Sequence, residues 1–422
     1  MFKIQSKDNK KIENLILKYK KNNKKFIYPL LEHTFSSKDL ISAIKVILSG
    51  QMTMSNVTQQ FEKQFAKFVN AKYAVMVNSG SSANLLATFA SCNPKRKMRF
   101  KYGDEAIIPA LCWPTSLWPL VQAGLKPVFV DPEVKSLNLD VDKIISSITS
   151  KTKLIMLVHV LGNGTNVEKL KKIAKKKKII LIEDTCESLG SKFKKKCLGT
   201  FGDFGTYSFY FSHQISSIEG GMVVCDSFSD YQILLAMRSH GWSRNVKVDK
   251  EIIKKYSNID KRFLFINSGF NLRPTDINAA IGLSQLTKAK KFQKNRLLNR
   301  KRLMQSLLKS KAWNDQFSFF HPSKNIDPSY FGFPIFLNYD YQKKEKFIEY
   351  LEKKKIETRP IITGNFLNQP AIKIFNLNKE NRIYKNANEI EKRGFFIGLY
   401  SEPLSKKMLD YLTKCLMKFD DI

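Results

Sequence analysis

Tyr73-Ala-Val-Met-Val-Asn-Ser-Gly80-Ser-Ser-Ala-Asn-Leu-Leu86 sets a short apolar run, a glycine turn and the start of a helix in direct succession. Gly80 permits the tight turn, and the amides of Gly80 and Ser81 then point outward from a positively polarised helix end, where a phosphate dianion is stabilised. The same alternation continues along the chain. Apolar runs recur at Glu105-Ala-Ile-Ile-Pro, Pro127-Val-Phe-Val, Leu154 to Val160, Ile179-Ile-Leu-Ile, Thr206-Tyr-Ser-Phe-Tyr and Met222-Val-Val-Cys, mostly with helical stretches between them. Strands apolar on both faces and separated by helices predict a covered, mostly parallel sheet in an α/β domain. The last two runs are joined too closely for a crossover helix, which predicts antiparallel pairing there.

Around this centre the chain is expected to divide in three. Residues 1–30 are polar and lysine-rich and read as an N-terminal extension with one short, weakly packed helix. Residues 31–308 form the large domain. It opens with a helix starting at Ser36-Ser-Lys-Asp39 and a second in which Phe61, Phe65 and Phe68 share one face, as core packing. A helix over Thr275 to Leu286 and a lysine-rich one to Leu308 close it. Residues 309–422 are expected to form a small α+β domain, with strands near Tyr330 to Leu337 and Ile356 to Ile362 flanking a helix near Tyr341 to Lys353.

Composition narrows the function classes. With 72 Lys and Arg against 37 Asp and Glu the net charge is +35, yet the lysines are spread over the whole chain without an aromatic-interleaved or helix-turn-helix pattern. That favours a solvated basic surface over a nucleic-acid partner, and such a surface still attracts a nucleotide diphosphate. No apolar run is long enough to span a membrane, and the amino terminus has no apolar leader core, so a cytoplasmic protein is expected. Cys92, Cys112, Cys186, Cys197, Cys225 and Cys415 are scattered, with no C-x-x-C pair, so neither a metal site nor an iron–sulfur cluster is expected.

Four further stretches carry chemistry. Ile182-Glu-Asp184-Thr-Cys-Glu187 ends a buried strand, where ligands bind in α/β sheets. Leu111-Cys-Trp113-Pro-Thr-Ser-Leu-Trp118 offers a ring for stacking at Trp113, while Trp118 reads as core. Ser208-Phe-Tyr-Phe-Ser-His213-Gln-Ile-Ser-Ser-Ile-Glu-Gly-Gly221 contains no lysine. Of the five histidines, His33, His159 and His321 read as structural; His213 is the candidate base, because imidazole titrates near neutral pH. The fourth stretch is Arg238-Ser-His240-Gly-Trp-Ser-Arg244.

These motifs together resemble the DegT/DnrJ/StrS sugar aminotransferases, whose catalytic lysine is replaced here by His213, as in the sugar 3-dehydratases of that family. The resemblance runs from about Tyr28 to near the C-terminus. It implies a fold-type I PLP-dependent transferase fold and a site using pyridoxal 5'-phosphate or its amino form, pyridoxamine 5'-phosphate, bound without covalent attachment. Residue by residue it implies cofactor contacts at Gly80, Ser81, Trp113, Asp184, Glu187, Ser208 and Asn271. It implies substrate contacts at Gln51, Met52, Thr53, Met54, His240, Arg244, Arg273 and Glu357, with Asn271 and Arg273 reaching into a neighbouring subunit of a homodimer. The implied reaction is 3-dehydration of a nucleotide-linked 4-keto-6-deoxy hexose, GDP-4-keto-6-deoxy-D-mannose foremost, with L-glutamate as amino donor, toward 3,6-dideoxy sugars of surface polysaccharides. Gln214 departs from the pattern, since those dehydratases often carry a second histidine there. Three alternatives stand beside this reading: an aminotransferase-like relative without its lysine, an iron–sulfur-coupled CDP-sugar dehydrase without its cysteines, and a non-enzymatic polyanion binder.

Overall fold

The computed structural model describes residues 6–20, 25–32, 34–248, 250–378 and 382–422. Seven strands form its main sheet: β1 (Tyr73–Val77), β2 (Glu105–Pro109), β3 (Lys126–Val130), β4 (Thr152–Val158), β5 (Ile180–Asp184), β6 (Phe204–Ser208) and β7 (Gly221–Cys225). Their order is β1-β7-β6-β5-β4-β2-β3. β3, β2, β4, β5 and β6 pair in parallel, and β7 runs antiparallel to both β6 and β1. The reversed strand is the one the short link after Ser208 demands.

Both faces of the sheet are covered, and the period-2 alternation of strand side chains divides them between cores. Ile180 and Ile182 pack with Val75, Ile108 and Met156 on one side, while Leu181 packs with Ile155 and Leu157 on the other. Each such side chain contributes about 1.5–3 kcal/mol on burial, so no strand can slip by one residue without losing several of these contributions.

The entry helices form as their sequences specify. Ser36 donates its backbone N–H to Asp39 Oδ2 at 2.7 Å and starts the helix Ser37–Leu48. In the helix Asn56–Val69, Phe61 and Phe65 are fully buried against Phe209, and Phe68 lies at the edge of that cluster. The cap of this helix comes from far along the chain. Asp276 accepts from the Ser55, Val57 and Thr58 amides and from the Thr58 hydroxyl, so the segment before the helix is clamped to the start of the helix Asp276–Leu286.

After the lysine-rich helix Ala289–Leu308, the strands Phe317–Phe319, Phe333–Leu337, Gly394–Ile397 and Thr358–Arg359 make an antiparallel sheet in that order, with the helices Lys344–Lys353, Lys385–Arg393 and Lys406–Leu416 around it. A separate three-stranded ribbon joins Ile326–Asp327 to the lysine-rich hairpin Lys192–Phe193 and Lys196–Cys197. The amino-terminal helix, Ser6–Lys20, is longer than expected, and the end of the extension is not weakly packed. Tyr28 is fully buried, stacks on Tyr400 with ring centroids 4.4 Å apart and donates its hydroxyl to the Gly398 carbonyl. Among the described residues no helix is long and apolar enough to cross a membrane.

Candidate active site

The carboxyl ends of β5 and β6 and the helix after β1 meet at one point. Ser79 caps the helix Gly80–Ser91 by accepting from the Ser82 amide, which leaves the Gly80 and Ser81 amides at the helix mouth. A Cβ at residue 80 would lie 2.4 Å from Ser208 Cβ and 3.1 Å from Cys186 Sγ, so only glycine lets the helix end approach the ends of β6 and β5 this closely. The Gly80 and Ser81 amides at the helix mouth thus lie next to Ser208 at the end of β6.

Asp184 ends β5 nearly buried, at 5% exposure, and its carboxylate is held from three sides. Asn84 Nδ2 and Ser116 Oγ each donate to Oδ2 at 2.7 Å, and the Cys186 amide donates to Oδ1 at 3.1 Å. Asn84 is fixed in turn by Thr206, which donates to its Oδ1 at 2.6 Å. A carboxylate anchored this way is pre-aimed and cannot swing toward solvent. Neither Asn84 nor Ser116 was singled out from the sequence. Asn84 lies one helical turn beyond Gly80 and Ser116 three residues beyond Trp113, so the signal was a polar residue on an otherwise core-facing helix side. The neighbouring Glu183 points to the opposite face, where His159 and the Gly199, Phe201 and Gly202 amides satisfy it, so His159 is structural.

His213 sits in the turn between β6 and β7. Its Nδ1 lies 2.6 Å from the Cys186 carbonyl oxygen, and its ring meets the Phe331 ring edge-on at 5.2 Å. A carbonyl can only accept, so Nδ1 carries the proton and Nε2 keeps its lone pair. Burial pushes the imidazole down to about 4; the Cys186 carbonyl and the Asp184 charge oppose this, and the Arg296 charge adds to it. At neutral pH His213 is thus a neutral base with one nitrogen free. Glu187 accepts the Leu161 amide at 3.0 Å. Burial pushes its carboxyl up to about 7 against that hydrogen bond, with the Asp184 charge adding to the rise.

Trp113 is 55% exposed at the N-cap of the helix Pro114–Gln122, three residues before Ser116, which binds Asp184. The loop carrying Thr363 docks beside it, where Thr363 Oγ1 donates to the Cys112 carbonyl. Trp118 packs against Phe366 and Phe375, as core.

The remaining candidates form a second, solvent-facing group. Asn271 bridges Ser239, and Leu272 accepts the Asn78 amide, so this loop lies beside the β1 end of the helix mouth. Arg273 Nε donates to Asn271 Oδ1 at 3.1 Å. Gln51, Met52 and Thr53 are exposed and Met54 half-buried; Thr53 bridges Thr275, and Met52 accepts the Asp276 amide. His240 is exposed with φ +61°, and the Arg244 guanidinium lies 3.9 Å from the Trp242 ring centroid. Glu357 stands apart from both groups. Its Oε2 accepts the Leu30 amide and its own amide binds the Tyr28 carbonyl, which fastens the amino-terminal segment to the small sheet. His321 is exposed, and His33 lies outside the described residues. All six cysteines are free, and no cluster of three or more metal-ligating side chains occurs among the described residues.

The large sheet with its strand-end carboxylate defines the class: this is the fold of the pyridoxal-phosphate-dependent aminotransferases. A Helicobacter pylori aminotransferase involved in pseudoaminic acid biosynthesis shares it at a TM-score of 0.81 and 22% identity, over 94% of this chain and 100% of that one. Residues 35–416 match the DegT/DnrJ/EryC1/StrS aminotransferase family, and the chain belongs to that family. It is 38% identical over 398 residues to the GDP-4-keto-6-deoxy-D-mannose 3-dehydratase of Escherichia coli O55:H7, covering 92% of this chain and 99% of that protein. A solved E. coli GDP-4-keto-6-deoxy-D-mannose 3-dehydratase with bound hydrated PLP superposes at a TM-score of 0.82, with 36% identity over 93% of this chain and 99% of that one.

Proposed function

We propose that this protein removes the 3-hydroxyl of a nucleotide-linked 4-keto-6-deoxy hexose, most readily GDP-4-keto-6-deoxy-D-mannose, using pyridoxamine 5'-phosphate regenerated from pyridoxal 5'-phosphate by L-glutamate. The observation that carries the reading is His213, a neutral base with Nε2 free, at the mouth of a site whose anchored carboxylate and glycine-lined helix end fit this cofactor. The close approach at Gly80 brings the Gly80 and Ser81 amides next to Ser208, and these groups would hold the phosphate. Asp184 would hold the ring nitrogen and Trp113 would stack on the ring.

When bound, the amino form of the cofactor supplies an amine that condenses with the sugar's keto carbon and an electron sink for the elimination that follows. His213 Nε2 would take a proton from the cofactor's methylene carbon and, once protonated, would have a proton to give to the departing hydroxyl. Glu187, pushed to about 7, is poised to carry a second proton near the incoming amine. With no lysine between Ser208 and Gly221, nothing in this turn ties the cofactor to the chain. Borohydride treatment of the holoenzyme is accordingly expected to leave no pyridoxyl group on the denatured protein.

The exposed second group supports a homodimer in which Asn271 and Arg273 enter the partner's site, while Gln51–Met54, His240 and Arg244 would contact the substrate. Nucleotide sugars are made in the cytoplasm, which is where this reading puts the enzyme, at a step toward the 3,6-dideoxy sugars of surface polysaccharide. The deciding assay supplies GDP-, CDP-, UDP- and dTDP-linked 4-keto-6-deoxy sugars with glutamate, and follows ammonia, 2-oxoglutarate and the sugar product. A 3-deoxy-4-keto product with ammonia release is expected. A 4-amino sugar that retains its 3-hydroxyl would overturn the reading in favour of an aminotransferase.

A further inference from the structure

His213 and Gln214 are neighbours in sequence, and their side chains grip neighbouring carbonyls. His213 Nδ1 binds the Cys186 oxygen, and Gln214 Nε2 donates to the Glu187 oxygen and, at 3.3 Å, to the Ser329 oxygen. Gln214 thus ties together the turn after Asp184, the turn carrying the base and the segment leading to Phe331, whose ring meets His213. On its far side Gln214 lines a small cavity of about 10 Å³ with Gly190, Gln293, Ser329 and Arg296. Two buried polar atoms of its lining side chains, Gln214 Oε1 and Arg296 Nε, have no hydrogen-bond partner among the described residues. One is an acceptor and the other a donor, and the cavity has the volume of about one water. Arg296 is 2% exposed, and none of the described carboxylates lies within ion-pair distance of it. Among the described residues its side chain donates from Nη1 to the Tyr330 carbonyl, on the same segment.

We propose that Gln214 is a positioning residue for His213, locked by a single water bridging its Oε1 to Arg296 Nε, and that this link holds the imidazole in the Nδ1–H tautomer that leaves Nε2 free. The amide fills both roles at once: Nε2 can only donate, to the two carbonyls, and Oε1 can only accept, from the water. Arg296 adds a buried positive charge that disfavours a second proton on the ring. The groups facing His213 from the elements packed on it are Asp184 from the strand-end turn that also bears Glu187, Arg296 from the helix Ala289–Leu308, and the Tyr210 and Phe331 rings; Glu32 faces Arg296 in turn.

The catalytic consequence rests on the reaction proposed above, but the positioning can be read without it. In apoenzyme labelled with ¹⁵N-histidine and assigned through His213→Asn, imidazole NMR reports the tautomer and titration midpoint of His213. The wild type is expected to show a single Nδ1–H tautomer and a midpoint well below 6.5. In Gln214→Leu, which removes both the clamp and the water partner, a mixture of tautomers and a midpoint moved toward 6.5 are expected. Gln214→Glu can still accept from the water but cannot donate to the carbonyls, and it adds a negative charge; its midpoint should rise furthest. With the nucleotide sugar, Gln214→Leu should lose about ten- to a hundredfold in kcat with KM little changed. An unaltered tautomer and midpoint in both variants would overturn the proposal, whatever the substrate proves to be. So would a loss of kcat in Gln214→Leu with its His213 signals unchanged, which would mark Gln214 as merely structural. If wild-type enzyme leaves the sugar intact, the functional reading fails, and the NMR result still decides the positioning.

Discussion

The two groups of site residues are built on opposite plans. Around Asp184 and His213 nearly every polar atom has a designated partner, buried and supplied by a strand end or a helix start. Around Asn271 and His240 the side chains face solvent, and the order lies in the backbone: the Ser239–Asn271 bridge, the Asn78–Leu272 hydrogen bond and the Asp276 cap. The first group is held by buried hydrogen bonds from several elements; the second is a backbone frame whose side chains, such as Asn271 with Arg273 and Arg244 with Trp242, are partnered only locally at the surface. Proton transfer requires fixed atoms and excluded water, whereas recognition of a bulky sugar nucleotide can wait for a partner to close over it.

Four experiments probe that contrast, beginning with the largest effect. His213→Asn keeps size and an Nδ2–H donor for the Cys186 carbonyl but cannot take a proton, so kcat should fall by about a hundred- to ten-thousandfold with cofactor still bound; turnover near wild type would move the base elsewhere. Next, His213→Asn and Arg273→Ala, each nearly inactive alone, should recover activity when mixed and re-associated, because one hybrid site then has both intact residues. No recovery, or full activity in a strictly monomeric enzyme, would place both groups within one chain's site. Third, Gly80→Ala forces the helix mouth away from Ser208. Overpacking of this kind costs about 1–3 kcal/mol and should weaken cofactor retention in equilibrium dialysis more than it lowers Tm.

The smallest effect concerns pH. His213 falls from 6.5 to about 4 on folding, so its contribution to stability is present above 6.5 and is lost as pH falls toward 4. Glu187 rises from 4.5 to about 7, so its contribution is present below 4.5 and is lost as pH rises toward 7. The two slopes oppose each other over the shared window. Relative to wild-type apoenzyme, Glu187→Gln should steepen the gain of Tm with rising pH there, and His213→Asn should reverse it; equal slopes in all three proteins would deny the burial of both groups.

The sequence carried what depends on local pattern and lost what depends on distant pairing. The strand runs of the main sheet were legible to within a residue or two, because apolar stretches of that length between helices have few other uses, whereas Ile356 to Ile362 shrank to the strand Thr358–Arg359. Asp184, Ser208, Gly80 and His213 were legible because motif and strand end coincide. Asp276 was read only as part of a helix, since nothing local marks it as the cap of a helix beginning at Asn56. Arg296 was hidden in a lysine-rich helix, where a cation is ordinarily solvated; only the fold shows that this turn of the helix faces the core with Phe292 and Asn299. The hairpin Lys192–Cys197 and the strand Phe317–Phe319 were missed for a related reason. Two- and three-residue strands have no periodicity to detect and exist only through their partners.

The turn that bears His213 hangs between two strands whose ends are already joined. Ser208 pairs with Gly221, the Phe209 amide binds the Gly220 carbonyl, and the Ser217 amide returns to the Phe209 carbonyl. Tyr210 to Ser216 therefore form a closed turn, anchored from within by Gln214 and by the buried Ile215, and a substitution at His213 need not disturb the sheet. A lineage can exchange the reactive side chain by changing one codon while the strands on either side of the turn keep their pairing. A designer has the same freedom at that position: libraries at His213 that keep Gln214 and Ile215 would sample reaction types on an unchanged scaffold.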